Sequence, residues 1–188
     1  MIRRFFLELA LLALSFGALA GNLTPAQIAI LRPVVLAEPT LATARLTGDD
    51  ATISAWCNAQ ASPAFTVWKT NVSITAVGDK INGTELAGLS SLNTTRLQVV
   101  IQLSPSGINP ALADRRQFFD DIFSGAGGTT TRANLLALWK RTASRAEKAL
   151  ATGTGSDASP ATLTWEGALQ ETDGARLVFR DNGTLWGC

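Results

Sequence analysis

Residues 109–125 read NPALADRRQFFDDIFSG, and this stretch decides the fold class. Leu112, Phe119, Ile122 and Phe123 recur at helical spacing, so a helix gathers them on one face, and Gly125 suits the residue that ends it. The spacing therefore predicts a core helix. Beyond it, the turn Gly125–Gly128 leads into a second periodic run in which Leu135, Leu138, Trp139, Ala146 and Leu150 share helical spacing, with Thr142 to Ser144 marking an interruption.

The signals on the N-terminal side are also helical. Thr24 followed by Pro25 is a cap with proline at the first helical position, and Ile28 and Leu31 open an apolar stripe that Pro33 is expected to break. Asp49 or Asp50 caps a segment carrying Ile53, Trp56 and Cys57, and Ser62-Pro63 repeats the cap-then-proline signal before Phe65, Val67 and Trp68. Ser73 opens a helix through Ile74, Val77 and Ile81 that Asn82-Gly83 closes. Thr94 to Leu103 is the most continuous apolar stretch of the middle, stopped by Pro105 and Gly107.

The tail changes period. Thr162 to Trp165 and Ala175 to Arg180 alternate as strands do, and Asp181-Asn182-Gly183 is a hairpin signal before Thr184-Leu185-Trp186. The expected fold is mainly α: a bundle of short helices with a small C-terminal β-hairpin element. Three regions follow: a hydrophobic N-terminal segment over 1–21, a helical domain over 22–151, and a Gly/Thr/Ser loop with the β element over 152–188.

The chain has 188 residues, 46% of them apolar and 16% charged, ample for one core. Its 16 basic and 15 acidic side chains leave a formal charge of +1, so no global field draws it to nucleic acid or an anionic membrane. It contains no histidine, which removes both the usual general base and the commonest nitrogen ligand for metals. The expectation is a protein that is not an enzyme and has no catalytic residue, cofactor or metal site.

Residues 1–21, MIRRFFLELALLALSFGALAG, place Arg3 and Arg4 before an uncharged run that ends Ala18-Leu19-Ala20. That layout fits a cleaved secretory signal, and equally a retained hydrophobic helix that contacts a membrane through residues 1–20. Cys57 lies in an apolar run and Cys188 is the last residue. A buried Cys57 with a separate terminal thiol is preferred to a bridge between them.

Three groupings resemble chemical sites. Asp49-Asp50 and Asp120-Asp121 are carboxylate pairs, but neighbours on a helix point about 100° apart, so caps and a solvated face explain them. Gly153, Thr154, Gly155, Ser156 and Asp157 have the composition of a phosphate loop but lack its lysine and follow a helix instead of a strand. Small side chains there suit a turn that another subunit can approach closely. Arg132, Lys140, Arg141, Arg145 and Lys148, opposed by Glu147 alone, form a basic run that is a candidate contact for DNA or an acidic partner.

The runs Pro63–Thr70 and Ile81–Leu89, the helix Arg115–Phe123, and above all Arg145-Ala146-Glu147-Lys148 leading into Ala151–Thr162 carry a resemblance. Over residues 23–167 the chain is similar to a family of small proteins encoded in the structural-gene clusters of tailed bacteriophages. The resemblance implies a non-enzymatic virion component in the neck or tail region, at the head-tail connection. It would be an oligomer contacting copies of itself and other virion proteins, with possible non-specific contact with phage DNA. The alternatives from the leader are an exported periplasmic or envelope binding protein, and a virion-stored membrane-active protein released during DNA ejection.

Overall fold

A computed structural model describes residues 23–178. It is mainly helical, with ten α-helices and one small antiparallel sheet among the described residues. The fold class is the one expected. The hydrophobic leader, the Asp181-Asn182-Gly183 turn and Cys188 lie outside the described residues.

Helix α1 spans Pro25–Ala37, opened by a capping box in which Thr24 and Gln27 satisfy each other's backbone N–H groups. Pro33 does not break it. Pro33 and Ala29, one turn earlier, are both exposed, so the carbonyl that proline leaves unpaired is on the solvent side. Ile28, Leu31 and Val35 face the core. Helices α2 (Ala42–Thr47) and α3 (Asp50–Asn58) follow. Asp49 caps α3 by accepting from the Thr52 N–H at 3.0 Å, and Ile53 and Cys57 are buried behind it.

The segment after Ser62-Pro63 is a strand and not a helix: β1 spans Thr66–Trp68. It pairs antiparallel with β2, Lys140–Thr142, in the register Thr66 to Thr142, Val67 to Arg141 and Trp68 to Lys140. Alternation decides the outcome, because Val67 and Trp68 must enter different apolar clusters on opposite faces. The other edge of β1 is covered by residues 155–161, through Thr66 N–H to the Gly155 carbonyl (2.7 Å) and Trp68 N–H to the Ala161 carbonyl (3.0 Å).

Between the strands run α4 (Ile74–Gly78), α5 (Gly83–Ala87), α6 (Ser91–Leu103), α7 (Ala113–Ile122) and α8 (Thr129–Trp139). Asn82 does not end a helix; it caps α5, accepting from the N–H groups of Thr84 and Glu85. In α7, Phe119 and Ile122 are buried as expected, as is Phe123 just after it, but Leu112 sits at the cap, 52% exposed. Helices α4, α6, α7 and α8 share one apolar cluster that includes Phe119, Leu135 and Trp139. The Phe119 and Trp139 rings meet edge to face at 5.5 Å.

The interruption at 142–144 is complete. Helix α8 ends at Trp139, β2 follows, and α9 (Arg145–Leu150) restarts from a Ser144–Glu147 capping box. Thr162 forms a single bridge to Thr152 and no strand. Residues 175–178, the start of the expected Ala175–Arg180 strand, lie instead in α10, Glu171–Val178. Gly174, Leu177 and Val178 are buried at helical spacing, and the apparent alternation of Ala175 and Leu177 is incidental to it. So the small sheet is assembled from residues 66–68 and 140–142. Helices α1, α3, α9 and α10 enclose a second apolar cluster that includes Leu31, Val35, Ile53 and Leu177. The loop at 155–161 covers β1, and α10 completes this second cluster.

Candidate functional site

The sequence-predicted basic residues and the glycine loop gather around the two-stranded sheet, Lys140 and Arg141 on opposite faces of it, with one exception. Lys140 and Arg141 lie on β2, Arg145 and Lys148 on α9, and the loop 152–162 folds against β1 beside them. Arg132 lies on α8 in the other helical group, donating through Nη1 to the carbonyls of Phe123 and Gly125.

Arg141 is the centre of the group. Its Nη1 and Nη2 each lie 2.7 Å from an oxygen of Glu147, and Nη2 also lies 2.7 Å from Oε1 of Glu166. Thr70 Oγ1 donates to the second oxygen of Glu166. Glu147 is almost wholly buried, which raises its pKa, but the hydrogen bonds from Arg141 and from the backbone N–H groups of Ser144 and Gly167 outweigh this and hold it below the usual carboxylate range. The Glu147 bonds likewise hold Arg141 above its ordinary value against burial, with Glu166 adding to the effect. Sequence reading gave Arg141 only Glu147 as a counter-charge, because Glu166 is 25 residues away and reaches it only through the loop.

Lys140 is neutralised too, by Asp157 at the loop tip: its Nζ lies 2.7 Å from the Asp157 carbonyl and 3.2 Å from Oδ1. Arg145 lies 4.6 Å over the ring of Trp56 and donates to the Trp56 carbonyl; Lys148 lies 5.8 Å over Phe65. Arg145, Lys148, Trp56, Val34 and Glu38 line a groove of about 290 Å³. Glu38 is held below its normal pKa first by the Thr40 hydroxyl and N–H, with Arg145 and Arg45 assisting. The aromatic neighbours of the basic helix were not visible in sequence, since Trp56 and Phe65 precede it by eighty residues or more.

The loop is built by its own chain. Gly155 has φ +66°, and a Cβ there would stand 2.1 Å from the Phe65 ring; Gly153, at φ +124°, abuts Ala161. Thr154 Oγ1 donates to the Ser159 carbonyl, and the Ser159 N–H donates to Ser156 Oγ. Ser156 and Asp157 remain on the outer surface. The five basic side chains thus do not line a single cationic strip. Two are cancelled by acids, two cover aromatic rings, and one caps α7.

Cys57 is 1% exposed, and burial pushes its thiol up to about 12, with Arg145 opposing. Among the described residues no group of three or more His, Cys, Asp or Glu side chains is placed to hold a metal ion, and no helix is long and apolar enough to cross a membrane. No family model matches the chain, and neither a curated protein sequence nor a solved structure matches it.

Proposed function

We propose that this chain is a non-enzymatic structural subunit of a tailed-bacteriophage virion, present in multiple copies in the neck or tail region. The observation that carries the reading is the second apolar face of α6. Leu97 and Val100 fill the core, while Leu92, Val99 and Leu103 stand 59%, 45% and 78% exposed at i, i+7 and i+11, one stripe along the helix. Leu103 and the exposed Leu112 border a common groove, which extends the stripe past the helix end. A helix apolar on both sides needs cover on both, and a neighbouring copy supplies it. The resemblance over residues 23–167 supports the viral setting. The commitment of Arg141, Glu147 and Glu166 to one another supports a framing role for the polar centre over a reactive one.

Light scattering over a concentration series tests assembly, and mass spectrometry of purified particles tests the setting. The wild-type chain is expected to associate, and Val99→Asp with Leu103→Asp to leave a folded monomer. A wild-type chain that stays monomeric at high concentration removes the reading. Recovery of the protein from the periplasm with a new start at Gly21 favours export instead.

A further inference from the structure

The outward stripe of α6 is not wholly apolar. Leu92, Arg96, Val99 and Leu103 are all exposed, and at about 3.6 residues per turn they fall within about 60° of one another. Arg96 is the one charged residue from 86 to 113. It makes no hydrogen bond or ion pair among the described residues. The last turn of α6 also holds no basic residue, so the negative end of its dipole has no cation on the helix itself. A cover that suits this stripe is apolar, brings one carboxylate to its middle and carries positive charge at the Leu103 end.

The leader, outside the described residues, has the matching sequence. Met1, Phe5, Glu8 and Leu12 are spaced 4, 3 and 4 apart, as are Leu103, Val99, Arg96 and Leu92 read backwards. An antiparallel helical pairing with Glu8 opposite Arg96 sets Phe5 opposite Val99, Leu12 opposite Leu92 and Met1 opposite Leu103, and brings Arg4 beside the last turn of α6. The parallel pairing with the same two charges sets Arg4 against Leu92 and Ser15 against Leu103, which loses two apolar contacts and puts a cation at the wrong end of the helix. Glu8 is the one charged residue between Arg4 and Arg32, so covering the apolar residues around it calls for a cation opposite it.

We propose that residues 1–12 of one copy lie antiparallel on α6 of the next with Glu8 paired to Arg96, a contact that rests on the assembly of copies proposed above and names the segment of the neighbour that covers the stripe. The leader joins the fold at Leu23, which is buried in the terminal cluster with Leu31 and Val35, whereas α6 packs in the other cluster. Leader and stripe are therefore unlike surfaces, and their contact is head to tail. Repetition of such a contact closes into a ring where the rotation between copies allows it.

Analytical ultracentrifugation of the full chain with charges reversed tests the pairing. Glu8→Lys or Arg96→Glu alone sets like charges against each other and should weaken association about tenfold or more; the double variant restores an opposite pair and should return to within about threefold of wild type. Arg96 is exposed and unpartnered among the described residues, so its reversal leaves the fold intact. Register is tested by mixing a chain carrying Phe5→Cys with one carrying Val99→Cys, both in a Cys188→Ser background, under oxidation. A disulfide-linked pair is expected, and a much lower yield with Gln98→Cys, which is exposed but turned about 100° from Val99. A wild-type chain that stays monomeric removes the assembly and this contact together. Association unchanged by either reversal, a double variant as weak as the single ones, equal linkage at Gln98, or assembly by a mature chain that begins at Gly21 would overturn the leader contact and leave the assembly standing.

Discussion

The two helical groups reach similar packing by different routes through the chain. The middle group, α4 to α8, is wound from one uninterrupted run, residues 74–139, and its partners are near in sequence. The terminal group takes α1 and α3 from residues 25–58, then waits until residues 145–178 for α9 and α10. Its closing contacts span more than a hundred residues: Asp173 accepts from the Leu23 N–H, Arg32 donates to the carbonyls of Leu177 and Arg176, and Asn58 exchanges two hydrogen bonds with Leu169. A group closed locally can persist when distant parts are lost; a group closed by the chain end cannot.

Ending the chain at Gln170 breaks this comparison most directly. It removes Leu177 and Val178, both fully buried, at a cost of roughly 3–6 kcal/mol in apolar burial alone. Cys57, then the only cysteine left, should become reactive to a thiol reagent within minutes, while amide exchange in α6–α8 stays slow. A protected Cys57 would show that α1, α3 and α9 hold together without α10.

The reciprocal change is Phe119→Ala in the middle group, expected to cost about 3–5 kcal/mol because the ring sits against Trp139 with no exposed surface through which the site can relax. Hydrogen exchange should quicken in α6–α8 more than in α1 and α3. Equal quickening in both would mean that the sheet couples the groups into one cooperative unit.

The junction between the groups is probed by Gly155→Ala. Its left-handed backbone and the Phe65 ring 2.1 Å from the new Cβ together predict a loss of about 2–4 kcal/mol, read in urea denaturation. A loss below about 1 kcal/mol would show the loop to be loosely attached.

Glu147→Gln loosens the same junction through charge. Removing one member of a largely buried pair costs about 2 kcal/mol here, below the fully buried value because Arg141 is partly exposed. Glu147 is depressed in the folded state, so its contribution is present above the unfolded carboxylate pKa and is lost as pH falls through the folded one. Wild-type stability should therefore decline below about pH 4.5. Glu85, held down to about 2 by Thr131 and by the N–H groups at the start of α8, declines over the same range. In Glu147→Gln the slope should be shallower but not absent; an unchanged slope would remove Glu147 from the acid response.

The contrast between the groups also explains what was legible in the sequence. Helix α7 could be read because Phe119 and Ile122, with Phe123 just beyond, lie on a single face and their partners come from neighbouring helices. Caps at Thr24, Asp49 and Ser73 were readable for the same reason: each acts within three residues. Strand β1 could not be read, since its alternation covers three residues and its partner lies more than seventy positions away. Helix α10 was misread because Ala175 and Leu177 mimic a strand in isolation; only α1 and α3 make Gly174, Leu177 and Val178 a common face. At the candidate site, Arg141 and Glu147 share a local motif, but Glu166 and Trp56 join only through the tertiary fold.

The smallest effect should come from Asp157→Ala. Lys140 is nearly covered, yet Asp157 is 84% exposed, and a pair with one member in water contributes about 0–1 kcal/mol. The loop keeps its shape through Gly155, the Thr154–Ser159 bond and the Thr152–Thr162 bridge, none of which involves that carboxylate. A stability change within about 0.5 kcal/mol in urea, screened away by added salt, is therefore expected. A larger, salt-insensitive loss would mean that the loop tip clamps β2 and that the junction, like the terminal group, is closed from a distance.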